Sequence, residues 1–103
     1  MKYLVYIFCD AGVTTRIIVN KMMEVVYENE LPLEIEAHSI ANAEAHVKNK
    51  VPNLIVLGPQ VKYLERKIAL QFAPVKVASF DTETFASQDA TAAVKEIINL
   101  LRQ

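Results

Sequence analysis

Tyr3-Leu4-Val5-Tyr6-Ile7-Phe8-Cys9-Asp10-Ala11-Gly12-Val13-Thr14-Thr15-Arg16 is the stretch whose reading decides the rest. Its first six residues are aromatic or aliphatic, with no polar alternation. A short continuous run of this kind predicts a strand covered on both faces. Its second half holds the only cysteine and one of two glycines, and it leads into a segment of helical spacing. There Ile18, Val19, Met22, Val25 and Val26 recur three and four residues apart and predict a helix from about Thr15 to Glu28. Asn29-Glu30-Leu31-Pro32 closes it, because the residue before a proline is disfavoured in helix.

Further along, Leu33, Ile35 and Ala37 alternate with Glu34, Glu36 and His38, which predicts a half-exposed edge strand. Ser39 is placed to cap a short helix with inner face Ile40, Ala43, Ala45 and Val47, ended by Asn49 and Pro52. Leu54-Ile55-Val56-Leu57 is a second continuous apolar run, stopped by Gly58-Pro59. Val61, Leu64, Ile68 and Phe72 mark a third helix, and Val75 and Val77 flank Lys76 in a short strand. Phe80 to Gln88 lacks periodicity and reads as a loop. Asp89 caps a last helix with inner face Ala93, Val94, Ile97, Ile98 and Leu101.

Strands and helices thus alternate as βαβαβαβα, which predicts an α/β fold, a parallel sheet with helices on both faces. The two continuous strands belong in the centre and the two alternating ones at the edges. Right-handed crossovers then give strand order 2-1-3-4. Such a sheet binds ligands at the carboxyl ends of its strands, beside the point where the order reverses. Cys9 and Gly58-Pro59-Gln60 both fall there.

The 103 residues predict one domain over residues 1–103, large enough to bury a core without disulfides. A single cysteine forms no internal disulfide, which favours a reducing cytoplasm. Formal net charge is −1 with no Lys/Arg cluster, so nucleic acid is not expected as a partner. The longest apolar stretch, Tyr3 to Cys9, is far short of a membrane span. Asp10 interrupts it, and no small-residue cleavage site follows. The expectation is a soluble, cytoplasmic, unprocessed chain without membrane insertion.

A phosphoryl group needs several donors in one small volume. Backbone N–H groups of a tight loop and a helix N-terminus supply them, and the helix dipole favours negative charge. Ala11 and Gly12 allow close approach, while Thr14 and Thr15 add hydroxyls and a helix cap. The same field favours the thiolate of Cys9. Asp10 opposes both thiolate and phosphate, and Arg16 offsets it if folded back over the loop. The plainer reading of Cys9 is a small buried hydrophobe ending a strand.

The chain resembles enzyme IIB of the lactose/cellobiose (chitobiose) class of the bacterial phosphotransferase system. The likeness rests on Cys9, Ala11, Gly12, Val13, Thr14 and Thr15, and on Leu57-Gly58-Pro59-Gln60-Val61 followed by Tyr63; Glu36-Ala37 also fits. The resemblance implies a phosphotransferase of the phosphocarrier kind. Cys9 would accept a phosphoryl group from a histidine of enzyme IIA and pass it to a sugar held by the membrane permease, enzyme IIC. Asp10, Ala11, Gly12, Val13, Thr14, Thr15 and Arg16 would cradle the phosphate, with no cofactor and peripheral association with the permease. The chain departs from the family pattern at Asp10, at Arg16 and at Phe85-Ala86, where a glycine is often seen.

The alternative is a low-molecular-weight tyrosine phosphatase or arsenate reductase, with the same strand order. Those enzymes need Cys-x5-Arg for a bidentate grip on phosphate. Here that position is Thr15, and Arg16 is one residue late. Asp81 would stand for their general acid. A binding module with an inert cysteine is a third option. His38 and His46 read as surface or strand-edge residues, and no metal site is expected. Met22 and Met23 read as core filler. Tyr63 either faces the thiol loop or packs in the core. Val13, Ile17 and Phe85 are the apolar residues expected to dock IIA or IIC.

Overall fold

The structure, a computed structural model, describes residues 2–10 and 13–103, without the side chains of residues 13 and 14. Strand β1 (Tyr3–Cys9) leads to helix α1 (Val13–Glu28), then β2 (Leu33–Ser39), a 3-10 turn (Ile40–Asn42) and α2 (Ala43–Asn49). Strand β3 (Leu54–Leu57) is followed by a second 3-10 segment (Pro59–Leu64), α3 (Glu65–Gln71), β4 (Lys76–Ser79), α4 (Thr82–Ala86) and α5 (Ala90–Arg102). The strands form one parallel sheet in the order β2-β1-β3-β4. The two apolar runs are therefore its central strands, as their lack of alternation requires.

The sheet separates two cores. Val5 and Ile7 of β1 face one side, where Ile18, Met22, Val26, Ala93 and Ile97 of α1 and α5 cover them. Leu4, Tyr6 and Phe8 face the other, against Val47 of α2, Val61, and Ile68 of α3. Right-handed crossovers demand this division. The step from β1 to β2 runs one way along the sheet and the steps to β3 and β4 run the other way. The intervening helices therefore fall on opposite faces.

Helix α1 stops where expected, by a Schellman closure. Leu31 N–H donates to Val26 O at 3.0 Å, and Glu30 takes φ 50° in the left-handed region. Ser39 accepts from Ala41 N–H, so it caps the 3-10 turn ahead of α2 rather than α2 itself. Ala45 is exposed, contrary to expectation. Ala43 and Val47 are four apart and define the buried face, and a residue midway between them points away. The third helix is in fact two segments, 3-10 then α, and β4 lies one to two residues later than its valines suggest.

The segment Phe80 to Gln88 is not a loop. Asp81 accepts from Thr84 N–H at 3.1 Å and caps the five-residue α4. A helix that short shows no apolar period, so the cap is its only legible signal. Phe85 on α4 is 3% exposed and packs on Phe80, with ring centroids 5.4 Å apart. Phe85 is thus a core residue and not a docking residue.

Tyr6 ties β1 to the end of α2, its hydroxyl donating to Lys50 O at 2.8 Å. Burial, then the carboxylates of Glu36 and Glu34, push its phenol above the ordinary 10.0. A proton held more tightly in the folded state stabilises it up to the unfolded value, and that contribution is lost as pH rises through the folded one. Tyr6→Phe should cost about 1 kcal/mol at neutral pH. In urea melts its deficit should shrink above pH 10.0. Phe85→Ala should cost about 3–5 kcal/mol in the same assay, as for a core aromatic.

Candidate functional site

Cys9 is the last residue of β1, paired in register with Ser39 of β2, and is 4% exposed. It follows Phe8, which pairs with Leu57 at the end of β3. Gly58 N–H then donates to Phe8 O at 2.9 Å, which holds the first residue after β3 against the end of β1. A Cβ placed on Gly58 would lie 3.6 Å from the Cys9 Cβ and 3.2 Å from Gln60 Oε1. Gly58 has φ −67°, open to any residue, so glycine serves here for room and not for backbone freedom. The phosphate-binding set expected from the sequence, residues 10–16, leaves Gly58 out. The Gly58-Pro59 stop after the second apolar run is the signal that points to it.

Helix α1 begins at Val13, four residues past Cys9 and two earlier than its apolar spacing suggests. Thr14 and Thr15 accordingly lie within the first helical turn. Thr15 is buried at 2% exposure, while Asp10, Arg16 and Ile17 are exposed. Ala11 and Gly12 lie outside the described residues, as do the side chains of Val13 and Thr14. The first turn of α1 carries no acidic residue. Sixteen residues of aligned peptide dipoles thus present their positive end a few residues from the thiol, without a carboxylate in that turn to oppose it. Such a terminus attracts an oxyanion.

This arrangement does not suit a hydrolase of the Cys-x5-Arg kind. Thr15 fills the arginine position and is buried, and Arg16 beside it is exposed. Asp81 is engaged as the α4 cap, accepting from Thr84 N–H and from Thr84 Oγ1 at 3.2 Å. It does not stand as a free general acid.

The other singled-out residues lie elsewhere. His38 and His46 stack with ring centroids 3.6 Å apart, a contact that spacing does not reveal. His38 Nε2 also lies 2.9 Å from Glu36 Oε1. Both rings lie close to Tyr6, on the sheet face opposite to that of Val5, Ile7 and, by strand alternation, Cys9. Among the described residues no group of three His, Cys, Asp or Glu is placed to hold a metal ion. Tyr63 is 80% exposed, so it is not a core residue. Met22 is fully buried and Met23 packs against the same core. Among the described residues, no helix is long and apolar enough to cross a membrane.

Comparison with known proteins gives a consistent result. The family described as PTS system, Lactose/Cellobiose specific IIB subunit, matches residues 4–96. The chain is 30% identical over 84 residues to the PTS system galactose-specific EIIB component of Lactococcus lactis subsp. cremoris, covering 79% of this chain and 75% of that one. It is 29% identical, with the same coverage, to the cellobiose-specific EIIB component of Lactococcus lactis subsp. lactis. The lactose-specific IIB component domain from Streptococcus pneumoniae superposes with TM-score 0.80 at 15% identity, over 96% of this chain and 97% of that one. The solution structure of the cellobiose-specific IIB component from Borrelia burgdorferi gives 0.77 at 15% identity, over 99% and 94%. These two structures share the fold.

Gly58→Ala should fold normally, because the Gln60 side chain can yield a few tenths of an ångström. Gly58→Val should place methyl groups against Cys9 and slow its alkylation by iodoacetamide at least several-fold relative to Gly58→Ala. Equal alkylation rates would show that this glycine does not govern access to the thiol.

Proposed function

Because the chain belongs to the lactose/cellobiose-specific enzyme IIB family of the sugar phosphotransferase system, and is thus a phosphotransferase component, we propose that Cys9 is its phosphoryl-accepting residue. The observation that carries this reading is the position of Cys9 at the end of a central strand, at the point of strand-order reversal, a few residues before the N-terminus of α1.

In the first step the Cys9 thiolate attacks the phosphorus of a phosphohistidine on enzyme IIA. An S–P bond forms, the P–N bond breaks, and the imidazole leaves with the electron pair and takes up a proton. In the second step a hydroxyl of a sugar bound by enzyme IIC attacks the same phosphorus. An O–P bond forms, the S–P bond breaks, the sugar hydroxyl gives up its proton, and the thiolate is restored. Both steps are phosphoryl transfers in which the protein mainly positions and stabilises charge. Backbone N–H groups of residues 10–16 cradle the phosphate oxygens at the positive end of α1.

The absence of an arginine in register belongs to the same logic. Without a guanidinium clamp at position 15, little activates the S–P bond toward water. Burial of Cys9 limits water further. A carrier needs this restraint, because its phosphocysteine must last until the sugar arrives. The sugar is of the lactose or cellobiose type, and the chain works in the cytoplasm, docking peripherally on the permease.

Incubation with phosphoenolpyruvate, enzyme I, the histidine carrier protein and a cognate IIA should add one phosphate to the native chain. Intact-mass analysis should show none on Cys9→Ala, and on Cys9→Ser none that passes to sugar. A native chain left unmodified would refute the carrier role. Turnover of an aryl phosphate that disappears in Cys9→Ser would favour the phosphatase instead.

A further inference from the structure

The chain leaves β3 through Gly58, Pro59 and Gln60, and this turn is pinned at both ends. Gly58 N–H donates to Phe8 O at 2.9 Å, and Val61 N–H donates to Gly58 O at 3.1 Å. Val61 is itself buried in the core on the Phe8 side of the sheet. Pro59 has a fixed φ, so the backbone that carries Gln60 has little freedom. The Gln60 side chain is exposed and folds back over Gly58.

The place a Cβ would take on Gly58 ties this side chain to the thiol. Gln60 Oε1 lies 3.2 Å from it, and the Cys9 Cβ lies 3.6 Å from it. The amide and the Cys9 Cβ are therefore at most about 7 Å apart, with no side chain on residue 58 between them. A Cβ–Sγ–P–O chain and one hydrogen bond span a gap of that size. A half-turn of the carboxamide exchanges its oxygen for its NH2, so a donor is available where Oε1 stands.

A phosphoryl group on a side chain brings negative charge and three oxygens that accept hydrogen bonds. Residues 10–16 follow β1, whereas Gln60 follows β3 and meets the group from the other strand of the crevice. Its carboxamide is neutral. It adds a hydrogen bond strengthened by the charge on the acceptor. It does not bring the full positive charge with which an arginine stabilises a transition state for attack by water. A donor of this kind holds a phosphoryl group without hastening its loss.

We propose that the Gln60 carboxamide donates a hydrogen bond to an oxygen of the phosphoryl group on Cys9 and so stabilises the phosphorylated chain. The proposal rests on the carrier role and adds to it a side-chain ligand from the β3 side.

The test is the equilibrium of phosphoryl exchange between phosphorylated IIA and this chain, read by intact mass as the fraction phosphorylated against the ratio of the two proteins. The native chain is compared with Gln60→Ala and with Gln60→Met, which keeps an unbranched side chain but has no donor. Gln60 is exposed, so both variants should fold, as circular dichroism will verify. The exchange constant should fall about tenfold or more in both, the weight of a hydrogen bond to a charged group. Gln60→Glu sets a carboxylate against the phosphate and should lose more. In the isotope-labelled native chain, the NMR signal of the Gln60 carboxamide should move on phosphorylation. A native exchange constant in Gln60→Met overturns the proposal while leaving the carrier role intact, because cover without a donor then suffices. So does a carboxamide signal that stays in place, or a slower approach to an unchanged constant, which makes Gln60 a contact of IIA alone. A native chain that takes up no phosphate refutes the carrier role, and the proposal with it.

Discussion

Strand β1 hydrogen-bonds to a parallel strand on each side, β2 on one edge and β3 on the other. Parallel neighbours cannot be joined by a tight turn, so each connection must cross a face of the sheet. With a single handedness allowed, stepping first to one side and then to the other puts α1 on one face and α2 and α3 on the opposite one. Both faces of β1 are then covered, which is why Leu4 to Phe8 are all buried. The same geometry leaves the carboxyl end of β1 in the crevice between diverging connections. Cys9 stands there, with Gly58 held against it by the bond to Phe8 O.

That crevice decides what chemistry is available. The thiol stands four residues before the start of a sixteen-residue helix, with a small-residue approach on the β3 side and no arginine in the position that hydrolases of this strand order require. An anion is favoured there, and little in the described geometry promotes attack by water. The site therefore agrees with membership of a family of phosphoryl carriers, and it does so through residues that belong to the sheet as much as to the site. Asp10 is the residue that fits least, an exposed carboxylate directly after Cys9.

Much of this architecture is legible in the order of the amino acids. Continuous apolar runs at 3–8 and 54–57 identify the central strands, and alternation at 33–38 identifies an edge strand. These patterns are reliable because burial on both faces or on one leaves different periods in the chain. The departures share a cause as well. Helix α4 escapes periodicity because five residues make hardly more than one turn. Phe85 reads wrongly as a docking residue because a solitary aromatic in a polar stretch does not announce what it packs on, and here it is Phe80. Ala45 reads wrongly as buried because a small residue carries little weight in setting the face of a helix.

The sequence by itself determined the alternation of strands with the longer helices, the parallel sheet, the order of its strands and the end of the sheet at which the lone thiol stands. Local period and handedness are properties of neighbouring residues, and they survive without knowledge of distant contacts. Only the tertiary structure decided which residues meet across long stretches of chain. It put Gly58 against Cys9, stacked His38 on His46, bound Tyr6 to Lys50 O, and left Tyr63 and Leu70 together in the open. Those contacts depend on how far each element extends and on the angle at which it packs, and no spacing within a single segment records either.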